Sequence, residues 1–130
     1  IITRRMLKNI LLIGAGGFIG SVARYFVSHL NISVRLFSIP VGTLLVNIAG
    51  CFAIGILTGL AERNDLLNTG WRMFLMVGLC GGFTTFSTFA GENLMLLHNG
   101  QYASLLIYTG LSLFLGFAAV YFGYALTNTI

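Results

Sequence analysis

The stretch Gly78-Leu79-Cys80-Gly81-Gly82-Phe83-Thr84-Thr85-Phe86-Ser87-Thr88-Phe89 lies midway along an apolar run and gathers groups that can handle an ion. Two adjacent glycines followed by paired threonines make poor helix, since each glycine costs about 1 kcal/mol relative to alanine and each threonine somewhat less. An interruption here would free main-chain carbonyls and amides at membrane depth, which is tolerated only where protein buries them or a cavity wets them. Broken helices at the midplane are a recurrent way to build ion sites, with carbonyls holding a cation and amides facing an anion. The competing reading is a packed, slightly bent helix whose hydroxyls bond to carbonyls one turn back. Composition leaves both open.

Phe86 and Phe89 are three apart and share a helix face. Aromatic rings have positive edges, so an edge-on pair can solvate a small anion weakly without trapping it. Two core phenylalanines would have the same spacing. Ser87, Thr88 and Glu92 continue a polar track along the same span, and Glu92 is the only carboxylate expected at membrane depth. Such residues are functional by default, although Glu92 could instead sit near the interface, a few residues from the span's end. Thr43 and Asn47 are four apart on the second span, and the Asn47 amide is an anion donor. Tyr108 and Ser112 have the same spacing on the fourth. Each pair is equally compatible with an interhelical hydrogen bond. Arg24 reads either as a positive vestibule or as a side chain snorkelling to headgroups. His29 and His98 read as loop-edge residues.

These groups require helices to carry them, and composition supplies the helices. The 130 residues are 57% hydrophobic and 8% charged, whereas a soluble domain of this size has about 25% charged residues. Most of the surface must therefore face lipid. A spanning helix takes about 20 apolar residues, and the chain divides into a single domain with four spans: 7–30, 40–61, 71–97 and 102–127. Pro40 suits a first turn, and Trp71 reads as an interfacial anchor. Polar linkers fall at Asn31 to Ser38, at Glu62-Arg63-Asn64-Asp65 with Asn68-Thr69-Gly70, and at His98-Asn99-Gly100. Four spans put both termini on one side, with Arg4, Arg5, Lys8, Arg63 and Arg72 there and Arg24 and Arg35 on the other. That bias favours a cytoplasmic N-terminus. The scattered cations suit anionic headgroups rather than nucleic acid, which calls for a dense basic face.

Small residues recur four apart at Gly16/Gly20, Gly55/Gly59 and Gly78/Gly82, the spacing that lets helices approach closely in lipid. Packing within the bundle is the expected role of most of the 17 glycines, and four helices bury little enough that an oligomer is expected as well. Cys51 and Cys80 read as small buried hydrophobes rather than a disulfide or a metal pair. No cleavable leader is evident. Gly14, Gly17 and Gly20 imitate a dinucleotide-binding turn, but the window where its ribose-binding acid should fall, Phe37 to Val46, holds no carboxylate, and no alternating strand pattern surrounds it.

The run Gly81-Gly82-Phe83-Thr84-Thr85-Phe86-Ser87-Thr88-Phe89, with Gly42-Thr43-Leu44-Leu45-Val46-Asn47 and Gly20-Ser21-Val22-Ala23-Arg24-Tyr25, resembles the signature of the small bacterial fluoride channels of the Fluc or CrcB family. The resemblance extends over essentially the whole chain in length and span order. It implies an all-α membrane protein whose third helix is broken near mid-membrane, assembled as an antiparallel, dual-topology dimer in the cell inner membrane. Two fluoride pores and a central structural sodium ion would follow, with the main-chain carbonyls of Gly81 and Thr84 holding the sodium. Phe86 and Phe89 would line the fluoride path, Asn47 would donate to the ion, and Tyr108 and Ser112 would belong to a polar track. Gly116 stands where some relatives carry a further serine, so that this track would lack one hydroxyl. The partner would be a second copy of the chain or an oppositely oriented paralogue.

The implied activity is passive. Hydrogen fluoride crosses membranes as a neutral weak acid and dissociates in the more alkaline cytoplasm, and a pore lets the membrane potential drive the trapped anion out. Close-set donors must replace water that fluoride holds tightly. The main rival is a proton-coupled multidrug exporter of four helices, but such exporters depend on a glutamate deep in the first span, which here contains no acid. A non-transporting assembly subunit would not need a broken third helix, and no nucleophile–base pair or metal cluster points to an enzyme.

Overall fold

Uninterrupted apolar residues in lipid leave the backbone no partner but itself, and helices satisfy every amide and carbonyl internally. The computed structural model describes residues 1–30, 36–63 and 66–130, and among them there are helices and no strands. Four helical stretches are long and apolar enough to cross a membrane: Arg4–His29, Val41–Glu62, Thr69–His98 and Tyr102–Thr129. They lie within three residues of the expected spans, and the largest difference is that the first helix starts at Arg4, in its basic flank. Arg35, Asn64 and Asp65, assigned to loops from the sequence, lie outside the described residues.

The elements are α1 (Arg4–Leu30), α2 (Val41–Glu62), α3 (Thr69–Trp71), a π-helical segment Arg72–Cys80, α4 (Gly81–Phe83), α5 (Phe86–His98) and α6 (Tyr102–Leu126). Pro40 caps α2 with φ −74°, a value its ring fixes in advance. Asn68 caps the third span, its Oδ1 accepting the Trp71 amide at 3.0 Å. Both Gly81 and Gly82 stay helical, and the extended residues are the threonines: Thr84 (φ −80°, ψ 156°) and Thr85 (φ −149°, ψ 116°). The wide turn of Arg72–Cys80 has no counterpart in any residue pattern we can identify; segments of this kind are rare and concentrate at functional sites.

Two seams organise the bundle. Along α1, an added Cβ on Gly16 or Gly20 would strike the Phe74 or Leu79 carbonyl, and one on Gly78 would come 2.7 Å from the Ile13 oxygen. The second seam joins α2 to α6, where Gly55 faces the Val120 carbonyl and Gly123 the Phe52 carbonyl. The glycine pairs therefore pack inside the chain. Arg63 donates to the Thr127 oxygen at 2.5 Å, while Lys8 and Asn68 wall one hollow, so both chain ends lie at the same end of the bundle. At the opposite end, Phe37 and Ser38 adopt left-handed dihedrals (φ 50° and 61°), which cost about 1–2 kcal/mol per residue. The start of α6 holds them: Ser104 donates to the Phe37 carbonyl, and Gln101 donates to Ser38 Oγ at 3.1 Å.

Candidate functional site

Asn47 lies on α2, one turn past Thr43, and faces the extended pair between α4 and α5. Its Nδ2 donates to the Thr85 oxygen at 3.0 Å, and its Oδ1 accepts the Thr85 amide at 2.8 Å. One side chain thus satisfies both main-chain groups of a buried residue that has left the helix. The expectation from sequence was an anion donor, and the second hydrogen of its amide remains for that. Thr85 then caps α5, its Oγ1 accepting the Thr88 amide at 3.2 Å and donating to Thr88 Oγ1 at 3.0 Å. The sequence reading did not single out Thr85; its place in the Thr84-Thr85 pair ahead of Ser87 and Thr88 was the available signal.

Gly81 and Thr84 line an open hollow of about 430 Å³ together with Asn47, Gly50, Cys51 and Cys80. A continuous helix would give the Thr85 amide to the Gly81 carbonyl one turn back; here Asn47 takes that amide. The Gly81 oxygen is thereby left for another partner, at the edge of a hollow. Main-chain oxygens suit a hard cation, so these residues fit the sodium that the resemblance implies. No cluster of three or more His, Cys, Asp or Glu side chains exists among the described residues.

On the other side of α5 the polar track converges on Glu92. Thr43 donates to Glu92 Oε1 at 2.5 Å, and the Tyr108 hydroxyl donates to Oε2 at 3.3 Å. Tyr108 is fully buried and Thr43 is 7% exposed, so the carboxylate is held between α2 and α6. Phe89 stands edge-on to Tyr108 with ring centroids 5.1 Å apart, and Phe86 lies 5.8 Å from Phe89 at 43°. The structure therefore brings Thr43, Phe86, Phe89, Glu92 and Tyr108 together.

Ser112, one turn beyond Tyr108 on α6, has a buried Oγ with no hydrogen-bond partner among the described residues. An added Cβ at Gly116, the next position on that face, would meet only Cys51 Sγ, at 3.7 Å, so a serine side chain could be accommodated there. Phe86 is 78% exposed, and Ser87 and Thr88 are exposed beside it; their own chain leaves much of all three uncovered. Arg24 stands apart on α1, half-buried, with no hydrogen bond or ion pair among the described residues. Sequence reasoning missed a second bridge: Asn93 donates to the Phe89 oxygen at 3.1 Å and accepts from Thr109 at 3.3 Å. Its signal was adjacency, with Asn93 following Glu92 and Thr109 following Tyr108.

Residues 11–124 match the family model described as CrcB-like protein, Camphor Resistance (CrcB). A protein of Azobacteroides pseudotrichonymphae genomovar. CFP2 named fluoride-specific ion channel FluC is 47% identical over 123 residues, which cover 95% of this chain and 98% of that one. Proteins of the same name from Chlorobium phaeobacteroides (44% over 119 residues, 92% of each chain) and Flavobacterium psychrophilum (39% over 117 residues, 90% of this chain and 94% of that one) are also similar. With a family model covering most of its length and relatives matched nearly end to end, this chain belongs to the CrcB-like family.

Proposed function

We propose that the chain is a fluoride-selective channel of the cell inner membrane, moving fluoride out of the cytoplasm by passive electrodiffusion. The observation that carries the reading is the Ser112 hydroxyl: a buried donor with no partner among the described residues, one turn along α6 from Tyr108, whose ring meets Phe89 edge-on. Leaving such a group unsatisfied costs about 1–3 kcal/mol, a cost that a small anion accepting its proton removes. Family membership and the relatives named fluoride-specific ion channel support the same ion. A membrane potential of 100 mV supplies about 2.3 kcal/mol per charge, enough to drive export without a coupled ion.

In this reading the extended residues Thr84 and Thr85 lie near mid-membrane. The functional unit is an antiparallel dimer with a second copy of the chain, or with a paralogue of opposite orientation. The exposed Phe86, Ser87 and Thr88 support it, because a pathway residue exposed on its own chain needs another chain to complete the wall. The Gly81 and Thr84 carbonyls hold a structural sodium ion at the centre. Asn47, Thr43, Phe86, Phe89, Tyr108 and Ser112 line the route, with Glu92 held at its edge and Arg24 forming a positive approach.

The test is fluoride release from liposomes containing the purified protein, read with a fluoride electrode against chloride-loaded controls. Fast release of fluoride but not chloride, lost in Phe86→Ile, is the expected result. Chloride release at a comparable rate would overturn the selectivity, and undiminished release in the variant would remove Phe86 from the path.

A further inference from the structure

The start of α1 carries Arg4, Arg5 and Lys8 within about one turn, all exposed. Among the described residues none of the three pairs with a carboxylate: Glu62 takes the Tyr124 hydroxyl at 2.7 Å, and Glu92 takes Thr43 and Tyr108. Three adjoining open hollows meet beneath them. One of about 390 Å³ is walled by Arg4, Leu7, Lys8, Leu11 and Leu12. One of about 280 Å³ is walled by Arg5, Lys8, Asn9, Asn68, Thr69 and Gly70. One of about 410 Å³ runs on between Lys8, Leu12, Asn68, Gly70, Trp71 and Phe74. Lys8 borders all three.

We propose that this junction of α1 with the start of the third span binds one anionic phospholipid. The phosphodiester sits on Arg4, Arg5 and Lys8, and one acyl chain lies in the groove of Leu12, Trp71 and Phe74. Charge complementarity selects the occupant. Three cations with no carboxylate partner among the described residues adjoin an apolar furrow that Lys8 and Trp71 border, and an amphiphile with an anionic head is the molecule whose two ends match those two surfaces. Asn68 strengthens the head site: its Oδ1 is taken by the Trp71 amide, leaving its NH2 to donate to a phosphate oxygen. Gly70 has no side chain, and an added Cβ there would come 3.3 Å from Asn68 Oδ1 and 3.5 Å from Leu12 Cδ1, narrowing the passage from the head site into the groove. The site stands apart from the proposed conduction pathway, whose lining residues lie on α2, α5 and α6, and from Arg24, about four turns further along α1. In an antiparallel pair one copy would face each leaflet.

Trp71 is the only tryptophan and walls the groove, so its fluorescence reports lipid at this one position of the chain. The protein is reconstituted in phosphatidylcholine vesicles containing equal mole fractions of acyl-brominated phosphatidylglycerol or acyl-brominated phosphatidylcholine. The expected result is a preference of about fivefold or more for the brominated phosphatidylglycerol, the gain from at least one cation acting on the headgroup. It should fall toward one at about 1 M salt, where the Debye length is about 3 Å, and in Lys8→Gln it should drop at least by half. Arg63→Gln removes a cation at the same end of the bundle that is engaged with Thr127, and it should leave the preference unchanged. Equal quenching by the two lipids overturns the proposal. So does an equal loss in Arg63→Gln and Lys8→Gln, which would mean a diffuse surface field rather than a site. The salt series needs no substitution and decides the electrostatic part even if a variant folds poorly.

Discussion

The α1 seam and the α5–α6 face solve helix association in opposite ways. Along α1, Gly16, Gly20, Gly78 and Gly82 bring backbone against backbone with no room for a single added carbon. Between α5 and α6 the link is made by side chains reaching across: Tyr108 to Glu92, Thr109 to Asn93, and the Phe89 ring edge-on to Tyr108. Lipid gives helices no hydrophobic reason to pair, so close packing and polar contacts must do it. A backbone seam has one register and no slack. A face joined by hydroxyls and a carboxylate has donors that can turn toward another acceptor. The first is suited to holding a scaffold rigid, the second to meeting an ion in transit.

Breaking the seam should have the largest effect. Gly20→Val places side-chain atoms against the Leu79 carbonyl and the Phe83 amide, neither of which can yield. Overpacking typically costs about 1–3 kcal/mol and occasionally more, and this site belongs at the upper end. The expected outcome is loss of monodisperse protein on size-exclusion chromatography in detergent. Recovery of folded, active protein would mean that the seam can slide.

Asn47 belongs to neither region, since it bonds the extended backbone directly. Asn47→Leu strips the Thr85 amide and carbonyl of their partners, at about 1–3 kcal/mol for each buried group left unpaired. A lower melting temperature together with slower fluoride release is expected. Slower release at unchanged stability would mean that Asn47 acts on the ion alone and that Thr85 finds other partners.

Smaller effects should come from the bridged face. Interhelical hydrogen bonds in lipid average about 0.6 kcal/mol and reach about 1.7, so Thr43→Val and Tyr108→Phe should barely move the melting temperature. Their fluoride release should nonetheless slow severalfold, because both set the position of Glu92 beside Phe89. A double-mutant cycle on the release rates measures that shared dependence, and strict additivity would show that Glu92 does not couple them. Smallest of all is Thr109→Val, which loses only the 3.3 Å contact to Asn93. Its stability should fall by about 0.6 kcal/mol or less with release near wild type, and a large loss of release would extend the pathway to that bridge.

The four helices were legible in the sequence because span length is a local property: about 20 apolar residues cross a bilayer whatever surrounds them. The chemistry-bearing residues were legible for a similar reason, since a carboxylate, an amide or paired threonines inside an apolar run are conspicuous by type. Their partners were not. Asn47 meets Thr85 from 38 positions away, and Thr43 meets Glu92 from 49, so each contact depends on the register between helices. The glycine seams set that register through backbone contact, and no single-chain periodicity encodes it.

The tertiary structure also moved the departure from helical dihedrals. The glycines at 81 and 82 are the weaker helix formers, yet Gly82 packs against the α1 backbone at Gly17 and stays helical. The chain opens instead at Thr84 and Thr85, where Asn47 can supply the hydrogen bonds an open backbone needs. Residue types thus determined which groups this protein could use. Which of them face one another was decided only when close-packed backbones fixed the helices side by side.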